Sequence, residues 1–168
     1  MKSEQGVGTC KIKAPTPLFG HGEERARLDA AYRATTYRVH DKSLPAGSLD
    51  IRVDTRHEIL DAFLQQQDIA EWAYLSAENP KSEILLPTQN AARSAALNRY
   101  LVQMGYRCFK GVAVADQGDW PEEQGVLVLN LSQSAAVTLA RDWGQNAFLY
   151  ARCGAPVALI WCADVLQD

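Results

Sequence analysis

Residues 72–80 read WAYLSAENP, and this stretch decides the fold. Trp72, Ala73, Tyr74 and Leu75 are continuously apolar or aromatic, which suits a strand covered on both faces. Pro80 steers Asn79 away from the right-handed helical region, so the strand stops in a short defined turn. That turn carries a carboxylate, Glu78, and an amide, Asn79. In open sheets with helices packed on them, ligands gather at the carboxyl ends of strands. The plainer reading is a turn in which Asn79 bonds its own backbone.

Upstream, Leu49, Ile51 and Val53 alternate with Asp50, Arg52 and Asp54, the pattern of a strand with one polar face near a sheet edge. Thr36–Val39 reads as its partner across the loop DKSLPAGS. Before it, residues 23–35 carry Leu28, Ala31 and Tyr32 at helical spacing, with Glu23 and Glu24 in the first turn. Between the alternating strand and Trp72, Thr55 is a candidate cap with Glu58 three residues on. Ile59, Leu60, Phe63 and Leu64 form the apolar stripe of that helix.

Downstream, ILLPTQNAARSAALNRYLVQMG predicts a long amphipathic helix. Thr88 is its candidate cap, Leu97, Tyr100, Leu101 and Met104 lie on its apolar face, and Gly105 is its stop. Asn90 and Arg93 lie one turn apart near its start, beside the Asn-Pro turn. Tyr106–Ala115 and Val126–Leu131 read as two strands of a hairpin, joined by a long loop bearing Trp120, Glu122 and Glu123. Ser132 or Ser134 caps a helix that ends at Gly144. Gln145 and Asn146 then lead into strands at Ala147–Ala151 and Val157–Trp161.

The expected architecture is α+β: one central mixed, largely antiparallel sheet with helices packed on it. It forms a single domain over residues 23–168, behind a flexible arm of residues 1–22. The strand–helix–strand passage from Trp72 to Tyr106 allows a parallel crossover. At 168 residues the chain suits one domain with a substantial core.

A net charge of −3 argues against nonspecific nucleic-acid binding, which needs a basic face. No apolar run approaches the roughly 20 residues of a membrane helix, and MKSEQGVGTCKIK lacks the apolar core of a signal peptide. A cytoplasmic location follows as the expectation. The four cysteines, Cys10, Cys108, Cys153 and Cys162, form no Cys-x-x-Cys pair, and no histidine stands at zinc-ligand spacing from them, so no metal site is expected. No phosphate-binding glycine loop, GxSxG or HExxH motif occurs. His21, His40 and His57 all fall in the first third, away from the strand cysteines.

Four islands remain: Ala77-Glu78-Asn79-Pro80, Asn90 with Arg93, Trp120 with Glu122, and Gly144-Gln145-Asn146-Ala147. In order and spacing they resemble an uncharacterised bacterial family, domain-of-unknown-function family 3293, over roughly residues 30–160. Gln124-Gly125 departs from its pattern, standing where a small hydroxyl residue leads into the strand. The resemblance supplies no established activity and leaves the cofactor unknown.

Carboxylates, amides and one guanidinium can bind a polar or anionic small molecule, and a buried carboxylate can do acid–base work. Glu78 and Glu122 are the candidate catalytic groups. Asn79, Asn90, Arg93, Trp120, Gln145 and Asn146 are the candidate ligand contacts, with Arg93 the candidate anion anchor. The ordinary structural roles are a bridge from Arg93 to Glu78 or Glu122, a solvated hairpin tip at Glu122 and Glu123, and a helix cap at Gln145-Asn146. Two functions stay open. One is a cleft for a polar small molecule or nucleotide at the Glu78-Asn79-Pro80 strand end. The other is a non-catalytic protein-interaction module using exposed aromatics and the N-terminal arm. Convergence of the islands favours the first, and scatter with an apolar patch favours the second.

Overall fold

A computed structural model of the chain describes residues 21–162. The helices are α1 (His21–Arg33), α2 (Glu58–Gln65), α3 (Pro87–Gln103) and α4 (Gln133–Asp142), and the strands are β1 (Thr35–His40), β2 (Ser48–Ile51), β3 (Glu71–Ser76), β4 (Cys108–Ala115), β5 (Glu123–Leu129), β6 (Ala147–Arg152) and β7 (Ala158–Trp161). The expected arm lies outside the described residues, except that His21 and Gly22 already open α1. Cys10 lies outside them too.

Among the described residues, seven strands form one sheet in the order β2-β1-β4-β5-β3-β6-β7, and every neighbouring pair is antiparallel. The expected α+β architecture holds, but the sheet expected to be mixed and largely antiparallel is antiparallel throughout the described residues. The crossover through α3 does join strands of like direction, β3 and β4, but β5 lies between them and supplies antiparallel pairing to both. The hairpin β4–β5 pairs Cys108 with Val128 through Ala113 with Glu123.

The sheet curls until its edges meet. Beyond β2, the Asp54 amide donates to the Val157 carbonyl at 2.8 Å, and just before β7 the Val157 amide donates to Thr55 at 3.2 Å. These bonds tie the ends of both edge strands and leave less open edge for pairing with another chain. Helix α1 touches both sides of the curl: the Tyr37 hydroxyl on β1 donates to the Tyr32 carbonyl, and the Tyr32 ring meets Trp161 of β7 edge-on at 5.8 Å.

Each face of the sheet has its own core. The inner one joins Tyr37, Ile51, Trp72, Tyr74, Leu127 and Leu149 with Leu60 and Leu64 of α2. The outer one joins Ala73, Leu75, Val126, Val128 and Phe148 with Leu97 and Leu101 of α3 and Ala136, Leu139 and Ala140 of α4. The unbroken apolar run of β3 follows directly, because Trp72 and Tyr74 face one core and Ala73 and Leu75 the other.

Several local expectations shift. Helix α2 is capped by His57, whose Nδ1 accepts from the Leu60 amide at 3.2 Å, and not by Thr55. Helix α3 begins one residue before Thr88, at Pro87, whose missing amide suits a first helical position. Ile59, Tyr100 and Met104 are exposed, because α2 and α3 each lie on the sheet along a narrow stripe.

Candidate functional site

The site is built on the turn after β3. Asn79 takes a left-handed conformation (φ +45°), which asparagine tolerates better than most residues. Its Oδ1 accepts from the Leu85 amide at 3.0 Å and from Asn90 Nδ2 at 2.8 Å, while its own amide donates to Asn90 Oδ1 at 3.0 Å. The two asparagines thus lock the turn to the first turns of α3. The remaining Asn79 donor, Nδ2, reaches Glu123 Oε1 at 2.8 Å.

Glu78 is 5% exposed, so its ionised form needs donors. Ser94 of α3 donates to Oε1 at 2.8 Å and the Gln124 amide of β5 donates to Oε2 at 2.9 Å. Its carbonyl accepts from Gln145 Nε2 at 3.0 Å. Glu78 therefore fastens three elements to the end of β3.

Arg93, also on α3, adds the end of α4 to the junction. Its Nε donates to the Ala77 carbonyl and its Nη2 to the Trp143 carbonyl at 2.6 Å, with the guanidinium 5.7 Å from the Trp143 ring centre. Its hydrogen-bond partners are main-chain oxygens, not Glu78 or Glu122. The Gly144 island closes on the same turn: the Lys81 amide donates to the Gly144 carbonyl at 2.8 Å. A Cβ on Gly144 would stand 2.9 Å from the Pro80 Cβ, and its φ of +74° also favours glycine.

Beside this junction opens a cavity of about 510 Å³, walled by α1, the start of β1, the loop after β4 and the Asn79–Ser82 turn. Asn79, Trp120, Gln145 and Asn146 line it, whereas Glu78, Asn90, Arg93 and Glu122 do not. Its carboxylate from β5 is Glu123, the neighbour of the expected Glu122. In the β5 alternation Glu123 shares the inner face with Leu127 and Leu129, while Glu122 precedes the strand and is exposed.

Both protein donors to Glu123, Asn79 Nδ2 at 2.8 Å and Trp120 Nε1 at 2.9 Å, fall on Oε1. Oε2 accepts from no described residue and is not sealed from solvent. Burial pushes the Glu123 carboxyl above its usual range and the nearby Glu78 charge adds to this, while the Asn79 and Trp120 donors oppose it. Asn146 donates from Nδ2 to Ser82 at 2.8 Å, and its buried Oδ1 has no hydrogen-bond partner.

Tyr32, Tyr37, Asp116 and Asp119 also stand in the walls. None of these four was a sequence candidate. Tyr32 reads as one more apolar residue on a helix face, and only the curl of the sheet turns α1 toward the β5 end. Asp116 takes Arg52 in a two-bond grip at 2.7 and 2.8 Å, which holds its carboxyl below the usual range. Beneath the cavity, Tyr74 lies across a glycine floor: a Cβ on Gly125 would come 2.5 Å from its hydroxyl oxygen and one on Gly111 2.7 Å from its ring. Gly125, where the family resemblance departs, is what seats this ring.

Among the described residues no group of three His, Cys, Asp or Glu side chains is placed to hold a metal ion. Cys162 is buried, and Cys108 and Cys153 are half-buried.

The structure is thus that of an α+β protein whose curled antiparallel sheet carries a largely apolar cavity, with a few polar groups in its wall, beside the end of β3. Over residues 75–148 the chain matches the family described as "Protein of unknown function (DUF3293)", so the resemblance read from its islands is shown across that segment. The segment is shorter than residues 30–160, yet it contains all four islands. No curated protein and no solved structure matches the chain.

Proposed function

We propose that the protein binds a polar small molecule in the cavity beside the β3 turn, with Glu123 as the group that engages its polar end. The free Oε2 of Glu123 carries this reading: a half-buried carboxyl in the cavity wall is held by two donors on one oxygen, which leaves the other without a partner among the described residues. The volume, about 510 Å³, suits a ligand of drug-like size. A carboxyl whose proton affinity is raised by burial is also equipped for general acid–base work on a bound molecule. The roles of the sequence candidates divide accordingly. Asn79, Trp120, Gln145 and Asn146 are wall residues, and Glu78, Asn90 and Arg93 hold the wall in shape.

The interaction-module alternative gains no support from the exposed apolar side chains. Ile84 and Leu86 precede α3 while Val102 and Met104 stand at its far end, about 25 Å away along a helix of this length. No described helix is long and apolar enough to cross a membrane.

The test is a thermal-shift screen of polar metabolites against the wild type and Ala31→Trp. Ala31 is an exposed α1 residue in the cavity wall, so the larger ring fills the space without entering the core. A ligand present at 100 times its Kd stabilises by about 2.7 kcal/mol. Hits abolished by Ala31→Trp support the cavity, and hits indifferent to it place binding elsewhere.

A further inference from the structure

We propose that the cavity selects a cationic ligand, an amine, amidine or guanidine borne on a flat apolar body, and that Glu123 is its counter-ion. This rests on the cavity being the binding site and adds the charge class of what it takes.

The first argument is the charge left over in the wall. Among the described residues the wall carries one cation, Arg27, and Glu24 grips it with two bonds at 2.7 and 3.1 Å. Asp116 is likewise neutralised by Arg52. Asp119 and Glu123 have no cationic partner among the described residues, so the unmatched charge of the wall is negative. Arg93, the anion anchor expected from the sequence, does not line the cavity and is bonded to two main-chain carbonyls. An anion entering here would lose its hydration and meet carboxylates without a counter-charge.

The second argument is the kind of polar capacity left unused. Glu123 Oε2 is an acceptor without a donor among the described residues and is open to solvent, whereas Asn146 Oδ1 is sealed inside the wall. Accessible carboxylate oxygens without donors invite N–H groups, and a ligand rich in them answers Glu123 Oε2. The Asn79 and Trp120 N–H groups are already given to Glu123 Oε1.

The third argument is the apolar part of the wall. Tyr32, Tyr37 and Trp120 contribute aromatic rings, whose faces attract cations and stack on flat groups. Trp120 is held in place through its bond to Glu123, so the ring and the charge form one fixed unit.

Three probes of one shape separate the possibilities: benzamidinium, benzamide and benzoate carry positive, zero and negative charge on the same ring. The readout is the indole N–H resonance of Trp120, assigned by its loss in Trp120→Phe, because that proton is bonded to Glu123 and reports directly on it. Benzamidinium is expected to shift it saturably, benzamide more weakly, and benzoate not at all. Glu123→Gln is expected to weaken benzamidinium by roughly tenfold to a hundredfold, the range for a hydrogen bond to a charged group. Its effect on benzamide should be small. If benzamide or benzoate binds as tightly as benzamidinium, the cavity stands as a binding site and the cation preference is overturned. If no probe perturbs Trp120 in the wild type or in Glu123→Gln, both the cavity and its charge preference fail. Should Glu123→Gln unfold, Asp119→Asn supplies the second arm: removing its charge must also weaken benzamidinium relative to benzamide, and unchanged selectivity overturns the proposal.

Discussion

Replacing Arg93 with alanine separates scaffold from binding residue. In the structure the side chain ties the last turn of α4 to the end of β3 through the carbonyls of Trp143 and Ala77. Each is a hydrogen bond from a charged donor, worth about 1.5–3 kcal/mol. Ala77 is 1% exposed, so its carbonyl would be left without that donor in a place water reaches poorly. Loss of both bonds, with the stacking on Trp143, should destabilise the fold by about 3 kcal/mol or more. For a chain of this size that corresponds to about 6–12 °C in Tm. Urea denaturation followed by circular dichroism is the assay, with the midpoint falling while the slope stays constant. Arg93→Lys should recover only part of the loss, because a single ammonium lacks the planar fork that serves two carbonyls at once. A loss below about 1 kcal/mol in Arg93→Ala would refute the clamp. Retained stability with lost ligand binding would restore Arg93 as an anchor for the ligand.

Three further perturbations follow from the same geometry. Leu101 is 0% exposed between α3 and the outer face of the sheet, and Leu101→Ala should cost about 2–5 kcal/mol; an unchanged denaturation midpoint would contradict the α3 register. The Tyr74 hydroxyl is buried without a partner, so Tyr74→Phe should be neutral or stabilising by about 1–3 kcal/mol, and a clear loss of stability would reveal a bond that the geometry does not contain. Burial raises the Glu123 carboxyl above its reference of 4.5, so its contribution to stability is fully present below pH 4.5 and is lost as pH rises through the folded value. Glu123→Gln, which keeps an oxygen for Asn79 and Trp120, should therefore gain stability relative to wild type at neutral pH and lose that advantage in acid. Parallel pH profiles for the two proteins would show that the carboxyl is not strained.

Most of the architecture could be read from the chain because the cues were local. The β3 run announced two covered faces, the alternation at residues 49–54 announced an edge, and Gly105 and Gly144 stopped helices at positive φ. Helix caps misled where an unusual residue did the work: a histidine nitrogen is a rarer cap than the threonine hydroxyl two residues before it. The convergence of the islands was legible in outline, since turns at one edge of a sheet meet whatever their distance in sequence. Which carboxylate faced the cavity was not. Starting the strand at Val126 left Glu122 and Glu123 equivalent on a loop, whereas β5 begins at Glu123 and its alternation settles the side. The α1 wall was beyond sequence reading, because it depends on the closure of β2 toward β7, and neither segment carries a pattern that names the other.

The polar islands serve chiefly to build the wall. Asn79 and Asn90 satisfy each other, Glu78 collects donors from α3 and β5, and Arg93 and Gln145 serve main-chain oxygens. A turn with three residues at positive φ, Asn79, Lys81 and Ser82, needs such bracing, since left-handed backbone outside glycine costs about 1–3 kcal/mol per residue. The bracing fixes Asn79, and through it Glu123, at the cavity edge with one carboxyl oxygen still available. The segment matched to the family, residues 75–148, contains the braced turn, Trp120 and Glu123, whereas Tyr32 and Tyr37 lie before it. The braced turn with Trp120 and Glu123 is thus separable in the chain from the two tyrosines that α1 and β1 bring to the wall. The first can be held constant by the bracing while substitutions on α1 and β1 alter the shape of what fits against it.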